Sequence, residues 1–160
     1  MAYIDYDNSE DPFVNVSHRV GAKGDWDDLY VVQLMLEFIY IYDSTLKDTK
    51  PTKGPVTVSG KPAADTPILI AHYQKTFMKR SHPQGYIDRA VRKDNLFNST
   101  IYRLYRHMDI LLGSLGFVTT SNFNNVISYM KKRVPLLAPR LKTGPEKAAP
   151  QPVVHPSVYP

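Results

Sequence analysis

Cysteine is absent from the 160 residues, which excludes disulfides and thiolate-bound zinc. Glutamate is scarce: only Glu10, Glu37 and Glu146 occur. Wall-cleaving glycosidases need two placed carboxylates. Two of these three lie towards the chain ends, and Glu37 sits among apolar residues at a core edge. The histidines (His18, His72, His82, His107 and His155) show neither HxH nor HxxxH spacing, so no zinc-peptidase frame exists. No Gly-x-Ser-x-Gly or Ser-x-x-Lys frame is present. Gly21 and Gly24 flank Lys23 but follow no clear strand, which argues against a phosphate loop. No apolar run approaches the roughly 20 residues of a membrane helix. The first residues, Met1 to Asp7, are acidic and lack the basic and apolar regions of a signal peptide. No catalytic residue, metal site or cofactor is assigned on these grounds, and no membrane partner is expected.

What is present is a substantial apolar complement. Hydrophobic residues make up 42% and aromatics 11%, enough for one packed domain rather than a disordered chain. Eleven tyrosines dominate the aromatics. The formal charge is +5, but it is unevenly spread: residues 1–30 carry seven acids and two bases, and residues 131–147 carry six bases and one acid. The two ends are expected to pair with each other or with neighbouring copies. Nucleic acid is a disfavoured partner, because no Gly-aromatic RNA motif or zinc-finger spacing occurs.

Hydrophobic periodicity predicts a mainly α fold. A first helix starts at Asp27 or Asp28, with Leu29, Val32, Leu36 and Ile39 as an inward stripe. Val31, Leu34, Met35, Phe38 and Ile41 make its other faces apolar too, so it is central or covered. Residues 43–64 read as a long loop, with Val56–Val58 as a short strand. A second helix opens at Thr66-Pro67, with Thr66 as N-cap. A third opens near Asn98-Ser99 and carries Ile101, Leu104, Tyr105, Met108 and Leu112, ending at Gly113 and Gly116. A fourth runs from Ser121 to about Arg133 on Phe123, Val126, Ile127 and Met130. Residues 1–19 read as an extended arm and residues 134–160 as a proline-rich extended tail. Residues 20–133 are expected to hold the whole core.

Fixed polar and glycine marks punctuate these helices. Val32-Gln33 and Leu36 are followed by Ser59-Gly60, Thr66, Tyr73-Gln74 and Gly85-Tyr86-Ile87-Asp88. Over residues 20–112 this order resembles the peptidoglycan-binding-like domain, a small three-helix bundle. Ser59 stands where that family usually has Asp, Tyr73 where it usually has Phe, and the loop between the first two helices is long. The resemblance implies a ligand groove between helices and loops, with Trp26, Tyr30 and Tyr86 stacking on sugar rings and Arg89 pairing with a stem-peptide carboxylate. Gln33, Gly60, Thr66, Gln74 and Asp88 read as architectural: the amides bond loop backbone, Gly60 permits a tight turn, and Asp88 anchors the Gly85–Asp88 turn.

Two functions compete. One is a non-catalytic structural component of a bacteriophage virion or contractile injection particle, made in the bacterial cytoplasm and partnered by other protein subunits. The other is a peptidoglycan-binding module of a bacterial or phage protein.

Overall fold

The computed structural model describes residues 1–116 and 125–142. Within them the chain is mainly helical. The helices are α1 (Trp26–Tyr42), α2 (Ser44–Asp48), α3 (Asp65–Thr76), α4 (Thr100–Ser114) and α5 (Asn125–Arg133). They follow an antiparallel pair, β1 (Tyr3–Tyr6) and β2 (Pro12–Asn15), in which Ile4 faces Val14. No described helix is long and apolar enough to cross a membrane.

Helix α1 is the hub. It buries residues on every side, from Leu29 to Tyr40, as its all-round apolar sequence predicts. It packs on α2, α3 and α4. Phe38 meets Tyr129 of α5 edge to face at 5.2 Å, and Glu37 pairs with Arg133 at 3.2 Å. Asp27 and Asp28 sit in its first turn, where carboxylates suit the positive helix end. They are buried because they also receive amides from the N-terminal segment. Ala2 N donates to Asp27 at 3.3 Å, and Ser17 N and His18 N donate to Asp28 at 3.4 and 3.3 Å. Helix α4 buries Ile101, Leu104, Tyr105, Met108 and Leu112 along the expected stripe. It runs through Gly113 and ends at Ser114, between the two glycines expected to terminate it; Gly116, at φ 78°, follows.

The N-terminal residues are not an arm. Ala2, Phe13, Val14 and Val16 are fully buried, and β2 packs against α4. Phe13 meets Tyr102 edge to face at 5.1 Å. The physical reason is a polar latch. Asp7 accepts from the amides of Ser9 and Asp11, each at 2.9 Å, which closes the hairpin turn. Its other oxygen accepts from Tyr102 Oη at 3.0 Å and Arg106 Nη2 at 2.7 Å. The acids at this end are therefore engaged within their own chain, by Arg106 for Asp7 and Arg92 for Glu10, rather than by the basic stretch at 131–142.

The proline-rich region also begins inside the core. Val134, Leu137 and Leu141 are buried. Pro135 opens a 3-10 turn, Pro135–Leu137, at a position where its missing N–H is not needed. Ile4 N then donates to Lys142 O at 2.7 Å. The packed unit thus includes residues 1–16 and 134–142, and the span 20–133 omits part of the core. Residues 121–124 of the predicted fourth helix and residues 143–160 of the predicted tail lie outside the described residues.

Two further local expectations change. The predicted strand at Val56–Val58 does not form, and the loop at 43–64 contains the short helix α2. Asp43 ends α1 and caps α2 by accepting from Leu46 N at 3.0 Å.

Candidate functional site

The polar marks converge on two loops through two amide clips of the same design. Gln33 Oε1 accepts from the amides of Ser59 and Gly60, both at 2.9 Å, and its Nε2 donates to Lys61 O at 3.0 Å and Thr66 Oγ1 at 3.2 Å. Gln74 Oε1 accepts from the amides of Gln84 and Gly85 at 2.8 and 3.4 Å. Its Nε2 donates to Tyr86 O at 2.9 Å and Thr100 Oγ1 at 3.1 Å. Each glutamine is fully buried, and each spends both ends of its amide on a glycine turn and the threonine at the next helix start. The turns need positive φ, 69° at Gly60 and 71° at Gly85. A Cβ on Gly60 would lie 2.5 Å from the Tyr30 ring.

The architectural reading of Gln33, Gln74 and Gly60 agrees with this geometry. Thr66 does not cap α3: the helix starts at Asp65 with Ala64 as N-cap and no side-chain bond, so Thr66 lies inside the first turn, where its hydroxyl accepts from Gln33. Asp88 reaches past its own turn to Arg19, with Nε donating at 2.7 Å and Nη2 at 3.1 Å. Beside it, Val20 and Ile87 exchange backbone hydrogen bonds of 2.9 and 2.7 Å. Ser59 uses its hydroxyl as a short local turn partner, accepting from Lys61 N at 3.2 Å.

A third clip has no counterpart among the predicted residues. Asn15 Oδ1 accepts from Ala90 N and its Nδ2 donates to Ala90 O, both at 2.9 Å. Nδ2 also donates to Asp5 Oδ2 at 3.0 Å and Tyr3 Oη at 3.2 Å, and Oδ1 accepts from Val16 N at 2.9 Å. The side chain imitates a strand partner and fastens the hairpin to the loop that carries Tyr86 and Arg89.

The four candidate ligand residues form two sets. Trp26 meets Tyr30 edge to face at 6.1 Å in the first turn of α1, and the Arg140 guanidinium lies 5.3 Å over the Trp26 ring. Tyr30 is half-buried against Gly60. Tyr86 and Arg89 share a cleft of about 220 Å³ that neither Trp26 nor Tyr30 lines. The Arg19 guanidinium sits 3.8 Å above the Tyr86 ring.

Comparison with protein-family models, with curated proteins and with solved structures finds no match to this chain.

Titratable groups gather in two further places. His18, Asp25 and Asp28 bring their ligand atoms within 4.8 Å of one another, a cluster no metal-binding spacing announces. The Met1 amino group lies in it, 3.4 Å from Asp25 and 3.2 Å from Asp28. The second place is buried. His107 Nε2 donates to Asp43 Oδ2 at 2.8 Å, and its Nδ1 accepts from Tyr73 Oη at 3.2 Å. This assigns the neutral Nε2–H tautomer from its partners. Phe77 stacks on the ring at 4.2 Å. The hydroxyl that separates Tyr73 from a phenylalanine thus completes a network among α1, α3 and α4.

Burial pulls the His107 pKa below its ordinary value; the Asp43 carboxylate opposes this, and Arg103 adds to the depression. His72, which meets Tyr40 Oη at 2.7 Å, is lowered too, chiefly by burial. A histidine whose folded pKa is depressed binds its proton more readily when unfolded. Stability therefore falls as pH drops through the unfolded value of about 6.5 towards the folded one. Thermal unfolding from pH 7.5 to 5 should show this fall, and His107→Gln should flatten it. An unchanged slope in that variant would remove His107 from the account.

Proposed function

We propose that this chain is a non-catalytic assembly component of a bacteriophage virion or contractile injection particle, built on a peptidoglycan-binding-like core. The observation that supports this reading is how the marked polar residues are used. Gln33 and Gln74 each bond loop backbone and the threonine at the next helix start, the architectural use expected of them, and Asn15 adds a third clip outside the span of the resemblance. Their polar atoms hold loops in shape and face inward. Such a scaffold presents rigid loops to neighbours, and fold alone leaves its task open. The partners are other protein subunits, and residues 143–160, with five prolines, are the segment of the sequence proposed to reach them.

The test is removal of that segment. Deleting residues 143–160 should leave the melting temperature nearly unchanged, since the last buried apolar residue before the cut is Leu141. It should abolish sedimentation with the particle fraction of the native host. Normal co-sedimentation of the shortened protein would count against the assembly reading.

A second reading is a peptidoglycan-binding module, favoured by the cleft that Tyr86 and Arg89 share. Sedimentation with purified sacculi, lost on Arg89→Ala, together with no particle incorporation, would put that reading first.

A further inference from the structure

We propose that the face built from Arg19–Lys23, the Lys79–Gln84 turn and Tyr86–Arg89 binds an extended acidic segment of a partner protein. Three depressions meet there. A cleft of about 220 Å³ is lined by Arg80 and Arg89 at the start of α4. An open one of about 520 Å³ passes over Lys79, Arg80 and His82. A third, of about 480 Å³, lies among Ala22, Lys23, Pro67 and Tyr86, with a mostly apolar wall. Gln84 lines all three, which makes them contiguous.

The charge on this face is one-sided. Arg19 and Asp88 neutralise each other, and the rest of the lining sets Lys23, Lys79, Arg80 and Arg89 against the one carboxylate of Asp94. The face is also rigid. Gln74 holds the amides of Gln84 and Gly85 and the carbonyl of Tyr86. The Val20–Ile87 bridge ties its two edges together. Arg80 N donates to Gln74 O at 2.9 Å, and Lys79 takes a left-handed φ of 60° in that turn. The cations therefore stand on a preorganised backbone, which lowers the ordering cost of binding.

The shape favours a peptide over a nucleic acid strand. A base needs an open aromatic face, and the tyrosine of this face has Arg19 stacked on it. The apolar wall by Ala22 and Pro67 instead accommodates an aliphatic side chain between acidic ones. The chain's own acidic hairpin is engaged internally at Asp7 and Glu10, so the acidic segment comes from a partner.

The proposal rests on the assembly reading for the partner's being a protein. Its test uses full-length protein with fluorescein-labelled polyglutamate, read by anisotropy at low and high salt. Wild type should bind, more weakly at high salt. Lys23→Glu with Lys79→Glu, both exposed, should weaken binding at least about tenfold with an unchanged melt. Lys23→Gln with Lys79→Gln should give an intermediate loss. Lys131→Glu with Lys132→Glu, on α5, should leave affinity unaltered. Equal binding by wild type and the Lys23/Lys79 reversal would overturn the proposal. So would an equal loss on α5, or tighter binding of an oligothymidylate of matching charge. A face that binds polyglutamate in a chain that never enters a particle sinks the assembly reading alone; a face that does not bind, in a particle-borne chain, sinks this proposal alone.

Discussion

Asp7→Ala should cost about 2–3 kcal/mol, the loss expected when the acceptor of several charge-assisted hydrogen bonds in a part-buried site is removed. Asp7 is almost wholly buried, and the change would leave the Tyr102 hydroxyl and two turn amides without this acceptor and Arg106 with only Asp109 as a carboxylate partner. The hairpin would loosen from α4, and Phe13 would lose its fixed place against Tyr102. The pH dependence supplies an independent check. Burial alone would raise the Asp7 pKa, but the Asp11 amide, Arg106, Tyr102 and the Ser9 amide outweigh it and hold the carboxyl below its ordinary range. A depressed acid stabilises the fold above its unfolded pKa of about 3.9, and that contribution is lost as pH falls through the folded value. Urea unfolding at neutral pH measures the first effect; its acid limb measures the second. A loss below about 1 kcal/mol would mean that the latch does not hold the hairpin.

Leu104→Ala should be of similar size, about 2–5 kcal/mol. Leu104 is fully buried midway along α4, the helix that packs on α1, α5 and β2. Surrounding side chains from several elements cannot all collapse into the vacated volume, so the cavity cost adds to the transfer cost. A domain of this size has a total stability of about 5–15 kcal/mol, so the variant should unfold about 5–20 °C lower or fail to accumulate. A cooperative melt at the wild-type temperature would show that α4 does not cross the core here.

The helices were legible because their apolar residues recur at helical spacing over long segments. The hairpin was not, although Tyr3-Ile4-Asp5-Tyr6 alternates. Its buried positions are Tyr3 and Asp5, and an inward carboxylate is satisfied by the neighbouring Tyr6 amide together with Asn15, a partner distant in sequence. Gln33 and Gln74 were legible as loop-bonding amides, but their common design was hidden by the different loop lengths between each glutamine and its glycine turn. Thr66 carried a good capping signature, yet α3 starts one residue earlier, at Asp65, so Thr66 lies inside the first turn and its hydroxyl serves Gln33 instead. His107 lies beside the α4 stripe, and nothing local announces that Asp43 and Tyr73 will meet it. Trp26, Tyr30, Tyr86 and Arg89 were grouped by residue type; folding places the first two at the start of α1 and the last two in the loop before α4.

Native-state hydrogen exchange on the full chain tests the central claim, that buried amides lock the functional loops, most directly. The amides to follow are those of Ser59, Gly60, Gln84 and Ala90, whose acceptors are the side chains of Gln33, Gln74 and Asn15. Protection should approach that of the helical core, because these loop amides open only when a buried clip breaks. Exchange of all four at the rates of an unstructured peptide would contradict the account.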